Sequence, residues 1–140
     1  VKVLLDTCVI SELQREKGSR VVRKAVTAIA SEDLFLSTLT IGELSKGIAL
    51  LHEGKKKEYL SIWLYHLQSE FAERIMIVDA ETSIIWGELT ARLQRTGVIL
   101  PAIDGLLAAT AIKHKMILMT RNIRHFEDTG LTIFDPWANK

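Results

Sequence analysis

The chain carries one cysteine, Cys8, among its 140 residues, which excludes an internal disulfide and any zinc site built from cysteines. Breakers are scarce too. Two prolines and eight glycines are too few for a collagen-like or low-complexity chain. No apolar run approaches the roughly 18 to 20 residues needed to cross a bilayer, and Leu34–Leu39 and Ile103–Ile112 have the length of core elements. With no charged-then-apolar leader, the expectation is a cytoplasmic protein with no membrane role. Excess charge of either sign is also missing. Eighteen Lys and Arg against seventeen Asp and Glu give a net charge of +1, which neither predicts nor forbids a polyanionic partner, since nucleic-acid binding follows local patches.

What is present is the material of a packed domain: 48% hydrophobic and 25% charged residues describe an ordered globular chain. That length suits one domain, residues 1–140. Along it, apolar runs of strand length alternate with helical periodicity. Val1–Leu5 reads as a strand followed by a helix from Thr7, and Ser19–Ala30 as a helix followed by a strand at Leu34–Ser37. A helix from Thr40 to His52 and another from Glu58 to Glu73 flank Gly54-Lys-Lys-Lys57, read as a solvated turn. Strands are expected at Arg74–Val78, Met116–Met119 and Leu131–Phe134, with helices at Ala80–Arg95, ended by Gly97, and Ile103–His114. Strands separated by helices imply right-handed crossovers, hence an α/β fold with a mainly parallel sheet of about five strands covered by helices on both faces.

Ligands of such sheets sit outside the carboxyl ends of the strands, so acids placed there draw the eye. Asp6 closes the first strand, and its ordinary reading is an N-cap for the next helix. Thr40-Ile-Gly-Glu43 has the form of a capping box. Asp104 lies at the start of a helix, where an acid complements the macrodipole. Singly, each is explained as a cap. Together they lie where a parallel sheet brings its ends to one edge, and carboxylates gathered there repel unless a cation or a ring of donors compensates. A hard oxygen site of that kind suits Mg²⁺, with Mn²⁺ as a substitute.

The strings around these acids resemble a family. Val3-Leu-Leu-Asp-Thr-Cys-Val-Ile-Ser-Glu12, Thr38-Leu-Thr-Ile-Gly-Glu-Leu-Ser-Lys-Gly47, Ile103-Asp-Gly-Leu-Leu-Ala-Ala-Thr-Ala111 and Met119-Thr-Arg-Asn122 are similar, in order and spacing, to the motifs of the PIN-domain toxins of the VapC group. Ala49-Leu-Leu51 before the Gly54–Lys57 turn, and Pro136-Trp137, resemble its FitB branch. The resemblance covers the chain end to end. It implies a PIN-like three-layer fold and endoribonuclease activity by metal-activated water, leaving a 5′-phosphate and a 3′-hydroxyl. It also implies metal ligation by Asp6, Glu43 and Asp104, a homodimer, and a cognate DNA-binding antitoxin through which alone operator DNA is reached.

One departure stands out. The residue after Thr120-Arg121, commonly an Asp completing the catalytic quartet, is Asn122; an amide oxygen can ligate or orient water but adds no charge. Some members carry an acid at the place of His125, and Glu127 and Asp128 lie nearby. Weaker magnesium binding than in a four-acid site is expected. The alternative is a catalytically weakened domain that binds RNA or a protein. Thr7 and Thr120 are candidates to orient carboxylates or phosphate, and Lys46, Arg121 and Arg124 to meet RNA phosphates.

Other side chains have plainer readings. His52, His66, His114 and His125 are scattered, without metal-ligand spacing. Trp63 and Trp86 are expected in the core or an interface, Trp137 against the body, and Cys8 as a small buried apolar group. Cys8 also stands where a haloacid-dehalogenase-type enzyme needs a second Asp; paired receiver acids and a phosphate-binding loop are likewise missing.

Overall fold

In a computed structural model, residues 1–138 are described; Asn139 and Lys140, the end of the expected tail, lie outside them. Five strands, β1 (Val3–Leu5), β2 (Leu34–Ser37), β3 (Ile75–Met76), β4 (Ile117–Met119) and β5 (Ile133–Phe134), pair in the order β3-β2-β1-β4-β5. Every pairing is parallel, as the strand-helix alternation predicts. Helices α1 (Thr7–Gln14), α2 (Arg20–Thr27), α3 (Thr38–Ala49), α4 (Lys55–Glu70), α5 (Ala80–Arg95), α6 (Ala102–His114) and α7 (Ile123–Phe126) make the connections.

The central strands β1, β2 and β4 are largely buried on both faces, so their apolar residues divide by alternation. Val3, Leu5, Leu34, Leu36 and Met119 join one core with Val9, Val22, Leu44 and Leu67 from α1 to α4. Leu4, Phe35 and Leu118 point the other way, into a second core with Leu89, Leu93, Leu107 and Ala111 from α5 and α6. On the sheet's edges β3 and β5 shrink to two residues each, shorter than the apolar runs that contain them.

Two expected boundaries are corrected. Helix α3 starts at Thr38, because the Ser37 hydroxyl at the end of β2 accepts from the Leu39 N–H at 3.0 Å and caps it. Thr40 is therefore inside the helix, and there is no capping box at Thr40–Glu43. Lys55–Lys57 are not a turn but the first residues of α4, entered from Gly54 at φ 151°, with Lys57 paired to Glu53 at 2.9 Å. The sequence reading also lacked α7, whose four residues are too short to show a period.

Strand order reverses between β1 and β4: successive strands run one way to β3, and the chain then returns to the other side of β1 for β4 and β5. This switch point opens a crevice at the carboxyl ends of the two central strands. Asp6 and Thr120 follow β1 and β4 there, bound by the Asp6 N–H to Met119 carbonyl hydrogen bond of 2.9 Å.

Candidate active site at the switch point

Asp6 is 7% exposed, and both of its oxygens are engaged. Oδ1 accepts from the Thr7 N–H at 2.7 Å, capping α1, while Oδ2 accepts from the fully buried Thr120 hydroxyl at 2.7 Å. The cap and the site are thus one residue. Burial pushes its carboxyl above the ordinary value, hydrogen bonds from Thr120 and Thr7 offset this only in part, and the charge of Asp104 adds to the rise. Among the described residues, the negative charge of Asp6 is paired with no fixed cation.

Glu43 reaches the same place from α3. With Ser37 serving as the cap, its carboxylate is released from the backbone and accepts from the Thr7 hydroxyl at 2.6 Å; Thr7 also contacts the Thr40 hydroxyl at 3.1 Å. Thr7 and Thr120 each hold a carboxylate, the orienting role named among their alternatives from sequence. Glu43 also borders a concavity of about 530 Å³ with Lys46, Ile77 and Ile103. Asp104 is the third residue of α6, and its Oδ2 lies 2.8 Å from Nδ1 of His125 on α7. That contact was missed, because nothing in the spacing of residues 104 and 125 signals it.

Asn122 precedes α7 and lines a concavity with Arg121, Arg124 and His125. Its backbone N–H donates to the Thr120 hydroxyl at 3.0 Å, while its side chain makes no capping hydrogen bond. Among the described residues, no group of three or more His, Cys, Asp or Glu side chains stands ready to hold one ion. Glu43 is turned to Thr7 and Asp104 to His125. The donor set nevertheless fits a hard divalent cation: three carboxylates, one of them buried with its charge uncompensated, are what such an ion neutralises. Sharing one ion requires Glu43 to turn from Thr7, whereas Asp104, bonded to His125 through Oδ2, keeps Oδ1 without a hydrogen bond among the described residues.

Cys8 is half-buried rather than simply apolar. Its Sγ donates to Asp6 Oδ2 at 3.7 Å, and burial together with the Asp6 charge pushes the thiol up to about 11, so it stays protonated at neutral pH. Trp63 and Trp137 pack on the first core, and the Arg121 guanidinium lies 4.9 Å above the Trp137 ring. Another concavity, of about 610 Å³, lies beside the amino ends of the strands, with Val3, Ala25, Ile29, Ile117 and Ile133 among its walls. Asp33 is its sole acid, too little for hydrolytic chemistry. No helix of the described residues is long and apolar enough to cross a membrane.

Residues 3–130 match the family model described as PIN domain. The chain is 34% identical over 139 residues to the VapC ribonuclease Y4jK of Sinorhizobium fredii, covering 96% of this chain and 97% of that protein. It is 35% identical over 136 residues to the toxin FitB of Neisseria gonorrhoeae, covering 96% and 98% respectively. The structure of FitAB bound to an IR36 DNA fragment superposes with a TM-score of 0.93 at 34% identity, over 99% of this chain and 97% of that one. With the motifs, the sheet order and these full-length likenesses in agreement, the chain belongs to the PIN-domain family, in the group that holds the VapC ribonuclease Y4jK and the toxin FitB.

Proposed function

We propose that this protein is a magnesium-dependent endoribonuclease, the toxin of a toxin–antitoxin pair, with Asp6, Glu43 and Asp104 as its metal ligands. The observation that carries the reading is the uncompensated carboxylate of Asp6 at the switch point, raised by burial and by Asp104. Asp6, Glu43 and Asp104 would hold Mg²⁺ or Mn²⁺, which would supply Lewis acidity toward a phosphoryl oxygen and lower the pKa of a water. The chain's own residues supply placement. Thr120 and the Thr7 N–H fix Asp6, and the Thr7 hydroxyl restrains Glu43 until it turns. Lys46 beside Glu43, and Arg121 and Arg124 beside Asn122, offer charge to the phosphates of single-stranded or looped RNA. Asn122 adds an amide oxygen that orients water without adding charge. The expected products carry a 5′-phosphate and a 3′-hydroxyl.

The named relatives support the setting: one is a VapC ribonuclease, one is a toxin, and FitAB is seen on DNA. In this reading the chain forms a homodimer in the cytoplasm, is held by a DNA-binding antitoxin, and meets operator DNA only through it. Ile77, Ile84 and Ile103, large apolar side chains left exposed, offer area for a protein partner. A basic antitoxin side chain entering the acidic cleft would exclude the ion electrostatically.

A second reading, a PIN fold that sequesters RNA or a protein without cutting, is favoured by the absence of a ready three-acid group among the described residues. Incubating a mixed RNA pool with the protein in Mg²⁺, in chelator, and beside Asp104→Asn separates the two. Cleavage that needs both the ion and Asp104 supports the nuclease; binding without ion-dependent cleavage supports the second reading. Adding the antitoxin should silence the cleavage, and undiminished cutting within a verified complex would sink the blockade.

A further inference from the structure

The loop after β4 offers an imidazole where some members of the family offer an acid, and the imidazole is not idle. His125 Nδ1 lies 2.8 Å from Asp104 Oδ2. An ionised carboxylate can only accept, so Nδ1 carries the hydrogen. The two side chains are anchored independently. Phe126, next to His125, is fully buried and pins the short α7 to the second core. Asp104 rides on the first turn of α6, where Gly105 lies against the Trp86 indole. The contact occupies one oxygen of Asp104, and Oδ1 takes no hydrogen bond among the described residues. Asp6 differs, with both oxygens engaged.

We propose that His125 is a positioning residue of the candidate cation site, holding Asp104 through Oδ2 so that Oδ1 is its free donor to a divalent ion. The inference rests on the nuclease reading above and deepens it. A four-acid site attracts its ion by charge. This site, with three acids and an N–H, depends more on pre-set orientation, because a carboxylate already fixed loses less freedom when it ligates. Asp104 then binds the ion through one oxygen while keeping its bond to the ring.

A ring that merely blocked the acid would have the opposite effect, since removing it would free Asp104 and tighten ion binding. Free Mn²⁺ titrated by electron paramagnetic resonance into wild type, His125→Ala, His125→Asn and Asp104→Asn distinguishes the two signs. The ring is 49% exposed, so thermal unfolding of the ion-free variants should match wild type. Loss of the ring should weaken Mn²⁺ binding by about tenfold or more, and Asn, which keeps an N–H donor, should recover most of it. In cleavage assays the two His125 variants should need more Mn²⁺ for half-maximal rate, His125→Ala the most, whereas Asp104→Asn should not cleave at any Mn²⁺ concentration. Binding to His125→Ala as tight as wild type, or tighter, overturns the positioning role alone, provided Asp104→Asn abolishes binding. Wild type that binds no Mn²⁺ through Asp104 overturns the nuclease reading as well.

Discussion

Asp79 and Asp6 each cap a helix directly after a strand-to-helix passage, and the molecule treats their charges in opposite ways. Asp79 Oδ1 accepts from the Thr82 N–H and hydroxyl at 2.9 and 2.8 Å, and Oδ2 meets the Lys113 ammonium of α6 at 2.5 Å. The hydrogen bond from Lys113, then those from Thr82, hold its carboxyl well below the usual range. Asp6 has just as many donors, but all are neutral, and its carboxyl rises. Neutral hydrogen bonds orient a carboxylate; only a cation cancels its charge. Asp79 has a cation in Lys113, and among the described residues Asp6 has none. On the proposed function, that contrast separates a structural acid from one that would take an external ion.

The sharpest way to break this contrast is to neutralise each acid in turn. Asp6→Asn should lower RNA cleavage by more than about 100-fold, since even partners behind a metal ligand cost about 10- to 100-fold. The ion-free protein should become more stable, because a buried uncompensated charge is removed. Asp79→Asn should do the reverse, keeping cleavage and lowering the thermal midpoint. Equal loss of cleavage in both variants would erase the distinction.

A smaller effect is expected at the hydroxyl that orients Asp6. Thr120 is fully buried, donates to Asp6 at 2.7 Å and accepts from the Asn122 N–H at 3.0 Å. Thr120→Val keeps the shape and leaves buried polar groups short of a partner, which costs about 1–3 kcal/mol. Urea unfolding of the ion-free protein should register that loss, and cleavage should fall by about tenfold. Unchanged values in both assays would mean that the hydroxyl neither stabilises nor positions Asp6.

These residues also mark how far the sequence could be read. Asp6 and Asp104 were legible because strand ends and helix starts leave a local pattern. Glu43 was legible as an acid near a helix start but was given the wrong alternative partner, its own helix rather than Thr7. Local pattern cannot tell Ser37 from Thr40 as the cap when both can serve; the end of β2 decides it. The Asp104–His125 contact depends on how α7 docks against α6, a tertiary event that a four-residue helix does not announce. The parallel sheet was readable because its central strands are largely buried on both faces. Their outermost members, β3 and β5, were overextended because apolar composition outlasts pairing at a sheet edge.

A further test keeps every charge and moves only the helix start that carries Asp104. A Cβ added at Gly105 would stand 2.8 Å from Trp86 Nε1 and 2.9 Å from Cδ1, and that indole nitrogen already lacks a partner among the described residues. Gly105→Ala should therefore cost about 1–3 kcal/mol by overpacking and weaken Mn²⁺ binding through the neighbouring Asp104. At Gly42, inside α3, an added Cβ meets nothing within 4 Å, so Gly42→Ala should stabilise by about 0.5–1 kcal/mol. Thermal unfolding of the pair should move in opposite directions, and a shared sign would contradict the crowding at Gly105.

The smallest expected effect is a slope. Asp79 titrates lower in the folded protein than its ordinary 3.8, so as pH falls below 3.8 the unfolded chain takes up the proton first. Its contribution is present above that value and is lost as pH drops toward the folded one. Asp6 titrates higher than 3.8 when folded, so the folded protein takes up its proton first, and stability falls as pH rises through the window above 3.8. The two acids therefore tilt the ion-free stability profile in opposite senses on either side of one pH. In denaturant midpoints measured across that range, Asp79→Asn should flatten the acid limb below 3.8, and Asp6→Asn should remove a shallow decline above it. If Asp6→Asn instead steepens the decline, Asp6 is compensated within the chain and needs no external cation.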